Sequence, residues 1–323
     1  MQRTSPMSTF DTDTVNRRQA LLAAGGAAGL LATQTRFAAA DDPVKPVFRY
    51  CLNTSTIRGQ NLDAAAEIDA AGRAGYDALE PWLGKLHEYV NQGGSVKDLR
   101  KQLDDYGMTV ESAIGFAPWI VDDAATRQQG LEQAKRDMDL LAQLGAKRMA
   151  APPAGVPRGE KVQLADAAVR YRQLLELSDQ TGVIPQVEMW GGNPSIGRVS
   201  EAIFVAMEAG HPNACFLGDV YHTYKGGCDF NGLKLLGPQA MQVFHMNDYP
   251  ADPPRDTIRD EHRVYPGDGI APLNQIIQGW LAVGATPVLS LELFNREYWQ
   301  QDALEVARTG LRKMKEAVDE ATV

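Results

Sequence analysis

Cysteine is scarce in this chain of 323 residues, which has three, at Cys51, Cys215 and Cys228. Three cysteines without a regular spacing exclude a disulfide framework and a cysteine-rich zinc site, and at least one must be unpaired within a monomer. Two of them fall in or beside short apolar runs, so we interpret them as small residues of a hydrophobic core.

Positive charge is also in short supply. The chain has 32 lysine and arginine residues against 41 acidic ones, which gives a net charge of −9 at pH 7. A protein that binds nucleic acid needs a basic surface to contact the phosphates, and an anionic membrane attracts the same kind of surface. The acidic balance therefore indicates that neither nucleic acid nor a membrane surface is a partner.

A long apolar run is missing as well. The most apolar segment, residues 20–32, is glycine-rich and about thirteen residues long, too short for a confident membrane span. It follows Arg17 and Arg18 and precedes a run of three alanines, residues 38–40. This order is typical of an export signal, and the paired arginines indicate the twin-arginine route.

We therefore predict that residues 1–40 are an export signal and that residues 41–323 form the mature protein, which lies in the periplasm and has no membrane segment. Removal of the signal would take away four basic and two acidic residues and leave a net charge of −11. The alternative is that the segment stays uncleaved as an anchor.

After this segment, short apolar strands alternate with amphipathic helices. The first four strands are predicted at residues 48–53, 76–80, 109–114 and 147–151, and the other four end at Glu188, Asp219, His245 and Glu292. The alternation predicts a parallel sheet, and eight repeats predict a single-domain α/β fold, the (β/α)₈ TIM barrel. An open doubly wound sheet is the alternative, but no glycine-rich nucleotide loop follows the first strand.

The last four strands share an unusual feature, since each ends in a residue that can bind a metal ion. A charged residue that closes a buried strand is costly without a partner, and the carboxyl ends of barrel strands meet at one face. We therefore predict one shared metal site formed by Glu188, Asp219, His245 and Glu292. Three carboxylates and one imidazole favour Mn²⁺, with Mg²⁺, Co²⁺ or Zn²⁺ also possible.

A long irregular stretch, residues 247–272, lies between the seventh strand and its helix. A loop of this length on the catalytic face of a barrel is typical of a lid or a substrate wall. Arg263 lies in this loop among acidic residues, so a surface ion pair is the alternative to a role in substrate binding.

Several motifs resemble those of the xylose isomerase-like superfamily, which contains sugar isomerase and epimerase barrels. Asp219-Val220-Tyr221-His222 matches its Asp-x-x-His element, and His245-Met246-Asn247-Asp248 is similar to its His-x-Lys-Asp element, with Asn247 in place of lysine. Arg263 followed by Pro266-Gly267-Asp268-Gly269 resembles the corresponding segment of ketose 3-epimerases, and Glu292 matches the terminal glutamate. In architecture the resemblance covers essentially all of residues 48–318.

This resemblance implies deprotonation and reprotonation of a sugar carbon next to a carbonyl, through a metal-held enediolate. It implies that Glu188 and Glu292 bind the metal and also act as the two acid–base groups. Asp219 and His245 would then be ligands only. Residues His222 and Arg263 would bind substrate oxygens.

The remaining expectations concern the substrate. Trp190 and Phe294 would form an apolar wall against the sugar. A dehydratase or lyase that acts on a keto-sugar, keto-inositol or 3-keto-glycoside is the alternative to an isomerase or epimerase. A sugar-binding protein without turnover is a third reading, while an endonuclease-type relative would need more than five histidines and a basic face. The sole partner expected is a small carbohydrate, with a homodimer possible.

Overall fold

The computed structural model describes residues 48–322, so the predicted export signal lies outside the described residues. Eight strands run parallel in one curled sheet. They are β1 (Tyr50–Asn53), β2 (Ala78–Glu80), β3 (Thr109–Val110), β4 (Arg148–Ala151), β5 (Ile184–Glu188), β6 (Phe216–Asp219), β7 (Met241–Met246) and β8 (Val288–Leu291).

The sheet closes on itself. The order of hydrogen-bonded strands is β3-β2-β1-β8-β7-β6-β5-β4, which leaves β3 and β4 at the two ends. Two backbone hydrogen bonds join these ends: Lys147 N–H donates to Val110 O at 3.2 Å, and Ala150 N–H donates to Ala113 O at 2.8 Å. The predicted (β/α)₈ TIM barrel is confirmed.

Helices alternate with the strands around the outside. They are α1 (Ala64–Ala74), α2 (Leu83–Asn91), α3 (Val96–Asp105), α4 (Ala124–Leu144), α5 (Leu164–Thr181), α6 (Val199–Glu208), α7 (Val220–Lys225), α8 (Leu273–Ala282) and α9 (Ala303–Ala321). Their ends follow the sequence signals. Asp123 and Asp302 cap α4 and α9 through side-chain acceptors, and Gly145 and Gly182 end α4 and α5 in the left-handed conformation.

Three strands end at other residues than predicted, and one of them, β7, continues one residue past His245 to Met246. Regular pairing of β3 covers Thr109 and Val110, after which Ile114 alone forms a bridge to Trp82. The interruption coincides with Glu111, whose buried carboxylate accepts hydrogen bonds from basic side chains at the amino-terminal end of the barrel. Strand β8 stops one residue before Glu292.

The barrel interior is apolar in its middle and polar at its carboxyl-terminal end. Ile114, Ala150, Leu217 and Val243 form a small buried cluster inside the barrel, while most of the core fills the layer between strands and helices. No helix within residues 48–322 is long and apolar enough to cross a membrane. All three cysteines are free, and Cys51 and Cys215 are buried, as predicted.

Candidate active site

Three of the four strand-end residues meet at the carboxyl-terminal face of the barrel. The ligand atoms of Asp219, His245 and Glu292 all lie within 4.8 Å of one another, and the three side chains are buried. They come from the end of β6, from β7 and from the residue after β8. The structure therefore brings together a triad of two carboxylates and one imidazole that supports a divalent metal site.

The fourth predicted ligand, Glu188, lies outside this triad, but it lines a cavity on the same face together with Glu292. Its carboxylate is buried, and burial is the main reason that its pKa rises to about 8. The negative charges of Glu292 and Asp219 raise this pKa further, while His245 opposes them. At neutral pH the side chain is therefore mostly a carboxylic acid, which can donate a proton.

The His245 imidazole is held with one nitrogen free. Its Nε2 lies 2.9 Å from the Glu80 carboxylate, and its buried Nδ1 has no hydrogen-bond partner within residues 48–322. Nδ1 lies 3.1 Å from Glu292 Oε2 and 3.5 Å from Asp219 Oδ2. The unpartnered nitrogen and the two carboxylates that it faces together form a donor set suited to a divalent ion, so the residues fit a metal.

The charges of the site lead to the same conclusion. Burial alone would lower the pKa of His245, but the carboxylates of Glu292 and Glu80 raise it well above its ordinary value. The cluster of carboxylates therefore stabilises positive charge at the imidazole. A divalent cation would supply that charge instead of a proton.

The Asp-x-x-His spacing has a structural origin. Asp219 is the N-cap of α7, and its Oδ1 accepts a hydrogen bond from the backbone N–H of His222 at 2.7 Å. The second oxygen, Oδ2, accepts from the Asn247 side chain at 3.1 Å, and that amide also accepts from the backbone of Tyr221. The cap thus fixes one carboxylate oxygen and leaves the other to face the site.

Arg263 is buried at the centre of the site, with 1% of its surface exposed, so the alternative of a surface ion pair is wrong. One of its nitrogens, Nη1, lies 3.1 Å from Asp219 Oδ2 and 2.8 Å from Glu292 Oε2. The other, Nη2, contacts Asp260 and lies 3.1 Å from His222 Nε2. The carboxylates of Asp219, Asp260 and Glu292 raise the pKa of the guanidinium despite its burial.

The loop that carries Arg263 is fixed at its base by Asp248. The Asp248 carboxylate accepts hydrogen bonds from four backbone N–H groups, those of Tyr249, Gly267, Gly269 and Ala271. Asp248 and Val264 also exchange backbone hydrogen bonds at 2.9 and 3.0 Å. The predicted substrate wall is therefore held against the barrel by the same aspartate that follows the strand-seven histidine.

A cavity of about 350 Å³ opens above these residues. All four predicted substrate contacts, His222, Arg263, Trp190 and Phe294, line it together with Glu188 and Glu292. Trp82 and Phe116 line it too, with their ring centroids 5.2 Å apart. The volume and the aromatic lining suit a small polar ring or chain with apolar faces.

Sequence reasoning missed two residues of the site. Asp260 lines the cavity and pairs with Arg263, and Arg58 lies over the cavity-lining ring of Trp82. Both lie in short 3₁₀ segments between strands and helices, where no periodic pattern marks a residue as buried. Glu80 closes the predicted strand 76–80, and the structure places it against His245 rather than on the cavity wall.

The fold and the site together are those of a barrel enzyme with a metal-binding centre on the carboxyl-terminal face. The family model of the xylose isomerase-like TIM barrel matches residues 68–317. The chain belongs to this family.

Similarity to individual proteins is lower. The chain is 27% identical to an inosose isomerase of Bacillus licheniformis over 278 residues, which cover 84% of this chain and 98% of the relative. It is 26% identical to a 3-dehydroshikimate dehydratase of Pseudomonas aeruginosa over 77% of this chain and 39% of the relative. A solved structure of the IOLI protein with a bound zinc atom superposes with a TM-score of 0.78 at 22% identity, over 85% of this chain and 99% of the other.

Proposed function

We propose that this protein is a divalent-metal-dependent isomerase or epimerase of a polyhydroxylated ketone. The observation that carries the proposal is the combination of Glu188 and Glu292 on one cavity with the Asp219–His245–Glu292 triad. The similarity to inosose isomerases supports a sugar-like substrate, with a keto-inositol among the candidates.

Asp219, His245, Glu292 and Glu188 would hold the ion, for which we propose Mn²⁺, and Mg²⁺, Co²⁺ and Zn²⁺ are the other candidates. When bound, it would stabilise negative charge that develops on the substrate oxygens. Glu292 would take the proton from the carbon next to the carbonyl, and Glu188 would pass a proton taken up from water to the enediolate. The donors His222 and Arg263 would orient the substrate between the aromatic walls.

Dehydration is the second candidate. The acid–base group that has taken the proton from carbon can give it to a departing hydroxyl group, which leaves as water, instead of returning it to carbon. The similarity to 3-dehydroshikimate dehydratases favours this reading. Both reactions begin with removal of the same kind of proton, so they differ in the fate of the intermediate.

Proton exchange in D₂O tests the proposal. Full-length protein loaded with Mn²⁺ would be incubated with inosose and a panel of ketoses, and deuterium uptake would be followed by NMR and mass spectrometry. We expect metal-dependent uptake and a stereoisomeric or isomeric product, with a rate about 10²- to 10⁴-fold lower in Glu188→Gln and in Glu292→Gln. A product lighter by one water would establish dehydration, and no exchange in any sample would overturn both readings.

We also propose that the protein is exported by the twin-arginine route. The support is the sequence of the first forty residues, in which Arg17 and Arg18 precede the apolar run. Replacement of both arginines by lysine should retain the protein in the cytoplasm, as measured by cell fractionation. Export of this variant at the wild-type level would contradict the proposal. The homodimer stays a prediction.

A further inference from the structure

Arg58 occupies an unusual position beside the cavity. It lies in the 3₁₀ segment Thr54–Gln60 that follows β1, and its Cζ atom is 3.6 Å from the ring centroid of Trp82 and 5.5 Å from that of Phe294. Both rings line the cavity. The stacking on Trp82 holds the guanidinium plane in place against the aromatic wall.

The Arg58 guanidinium is nevertheless unpaired. Within residues 48–322 it forms no ion pair, and its buried Nη2 has no hydrogen-bond partner. Burial lowers the pKa of Arg58, and the charges of Glu292 and Glu67 oppose this shift. A partly desolvated arginine without a partner is costly, and such a group is expected to have a ligand.

Arg263 is not available to bind an anionic group of a substrate. It is the one lysine or arginine among the cavity-lining residues of the described chain, and its two terminal nitrogens already contact Asp219, Glu292 and Asp260. An anionic group that approached Arg263 would have to displace one of these carboxylates. Arg58 can accept an anion without breaking an existing pair.

We propose that Arg58 binds a carboxylate of the substrate at the Trp82–Phe294 side of the cavity. This inference rests on the proposed function and deepens it, because it assigns the substrate to the polyhydroxylated ketones that carry an acid group. The planar guanidinium of arginine can donate two parallel hydrogen bonds to a carboxylate, and stacking on the Trp82 ring fixes the orientation of the guanidinium before the carboxylate binds. A neutral polyol would leave the guanidinium unpaired.

Two unreactive ring compounds test this assignment. Quinate and inositol are both polyhydroxylated cyclohexanes, and quinate alone carries a carboxylate. Their affinities for Mn²⁺-loaded full-length protein would be measured by isothermal titration calorimetry. We expect quinate to bind more tightly than inositol, and Arg58→Met to weaken quinate about 10- to 100-fold while leaving inositol unchanged.

Two further variants complete the test. Arg58→Lys keeps the charge but loses the fork, so its quinate affinity should lie between those of wild type and Arg58→Met. Arg73→Met makes the same change of charge on α1, where Arg73 is half-exposed and pairs with Asp69, and it should change neither affinity.

Equal weakening of both compounds in Arg58→Met, or no preference of the wild type for quinate, would overturn the role of Arg58. The binding measurements involve no turnover, so they test the role of Arg58 separately from the proposed function. If the carboxylate assignment fails but deuterium exchange with inosose is observed, the proposed function still stands.

Discussion

Glu80 Oε2 and His245 Nε2 lie 2.9 Å apart inside the barrel, and both side chains are completely buried. The same oxygen accepts from Ser290 Oγ at 2.6 Å and from the Asn53 amide at 2.9 Å. Glu80 therefore fixes the orientation of the imidazole and keeps a proton on Nε2. Nδ1 is left to face Asp219 and Glu292, which is the geometry of a metal-binding histidine held by a carboxylate.

We expect Glu80→Gln to weaken metal binding about 10- to 100-fold, because the imidazole loses its fixed orientation and part of its basicity. The measurement is the dissociation constant for Mn²⁺ and for Zn²⁺ by calorimetry. Glu111→Gln is a matched control, since Glu111 is also a buried carboxylate but lies among basic side chains at the opposite end of the barrel. The control should lower thermal stability and leave the metal affinity unchanged. Equal metal affinity in Glu80→Gln and wild type would refute the orienting role.

Gly269 has no room for a side chain. A Cβ at this position would overlap the Asp248 carboxylate and the carbonyl oxygen of Tyr249. We expect Gly269→Ala to displace the loop base and with it Arg263, which should reduce turnover more than tenfold and cost about 1–3 kcal/mol of stability. Turnover and urea unfolding would be measured on the same preparation.

Gly84→Ala serves as the control for this substitution. Gly84 lies in α2, where a Cβ would meet no other atom within 4 Å. The change should therefore leave turnover intact and raise stability by about 0.5–1 kcal/mol, since alanine favours a helix over glycine. If Gly269→Ala behaves like Gly84→Ala, the clash with Asp248 does not decide the loop conformation.

Sequence reasoning found the candidate ligands that the structure brings together because strand ends carry a clear signal. An apolar run that ends in a carboxylate or histidine marks both the strand and the face on which the side chain lies, as at Asp219 and His245. The same reasoning identified Glu80 as a strand end, but its contact with His245 joins residues 165 positions apart. Such a contact depends on how the barrel closes, which a local pattern does not specify.

Loop residues escaped prediction for a different reason. Arg58 and Asp260 lie in 3₁₀ segments too short to show an apolar period, so neither their burial nor their direction follows from their neighbours in the chain. Arg263 was found through its motif alone. The acidic residues around it in the sequence were equally consistent with an ion pair on the surface. Its actual burial follows from Asp248, which ties the two ends of a 26-residue loop together.

Glu67 should make stability depend on pH. It is buried in α1, and burial raises its pKa to about 8 against the opposing effects of Lys85 and Thr54. The folded state therefore keeps the proton that the unfolded state loses above its own pKa of about 4.5. This contribution is complete below pH 4.5 and is lost as the pH rises to about 8.

We expect Glu67→Gln, which cannot ionise, to gain stability relative to wild type between pH 5 and pH 8, by a few kcal/mol at most. Urea unfolding at several pH values would measure the difference. Glu305→Gln, an exposed position in the first turn of α9, should give a profile parallel to that of wild type. A constant difference between Glu67→Gln and wild type across this range would contradict the assigned pKa.

Metal binding should release protons at neutral pH. The carboxylates of Glu292 and Glu80 keep the pKa of His245 well above its ordinary value, and Glu188 has a pKa of about 8, so both side chains are largely protonated at pH 7. Both must lose the proton to coordinate an ion, because the ligating forms are neutral imidazole and carboxylate.

We expect the release of close to two protons per Mn²⁺ in calorimetric titrations that compare buffers of different ionisation enthalpy. Glu188→Gln should release close to one, and metal affinity should rise with pH through neutrality. Binding without proton release would show that the imidazole is already neutral, and an unchanged count in Glu188→Gln would remove Glu188 from the set of ligands.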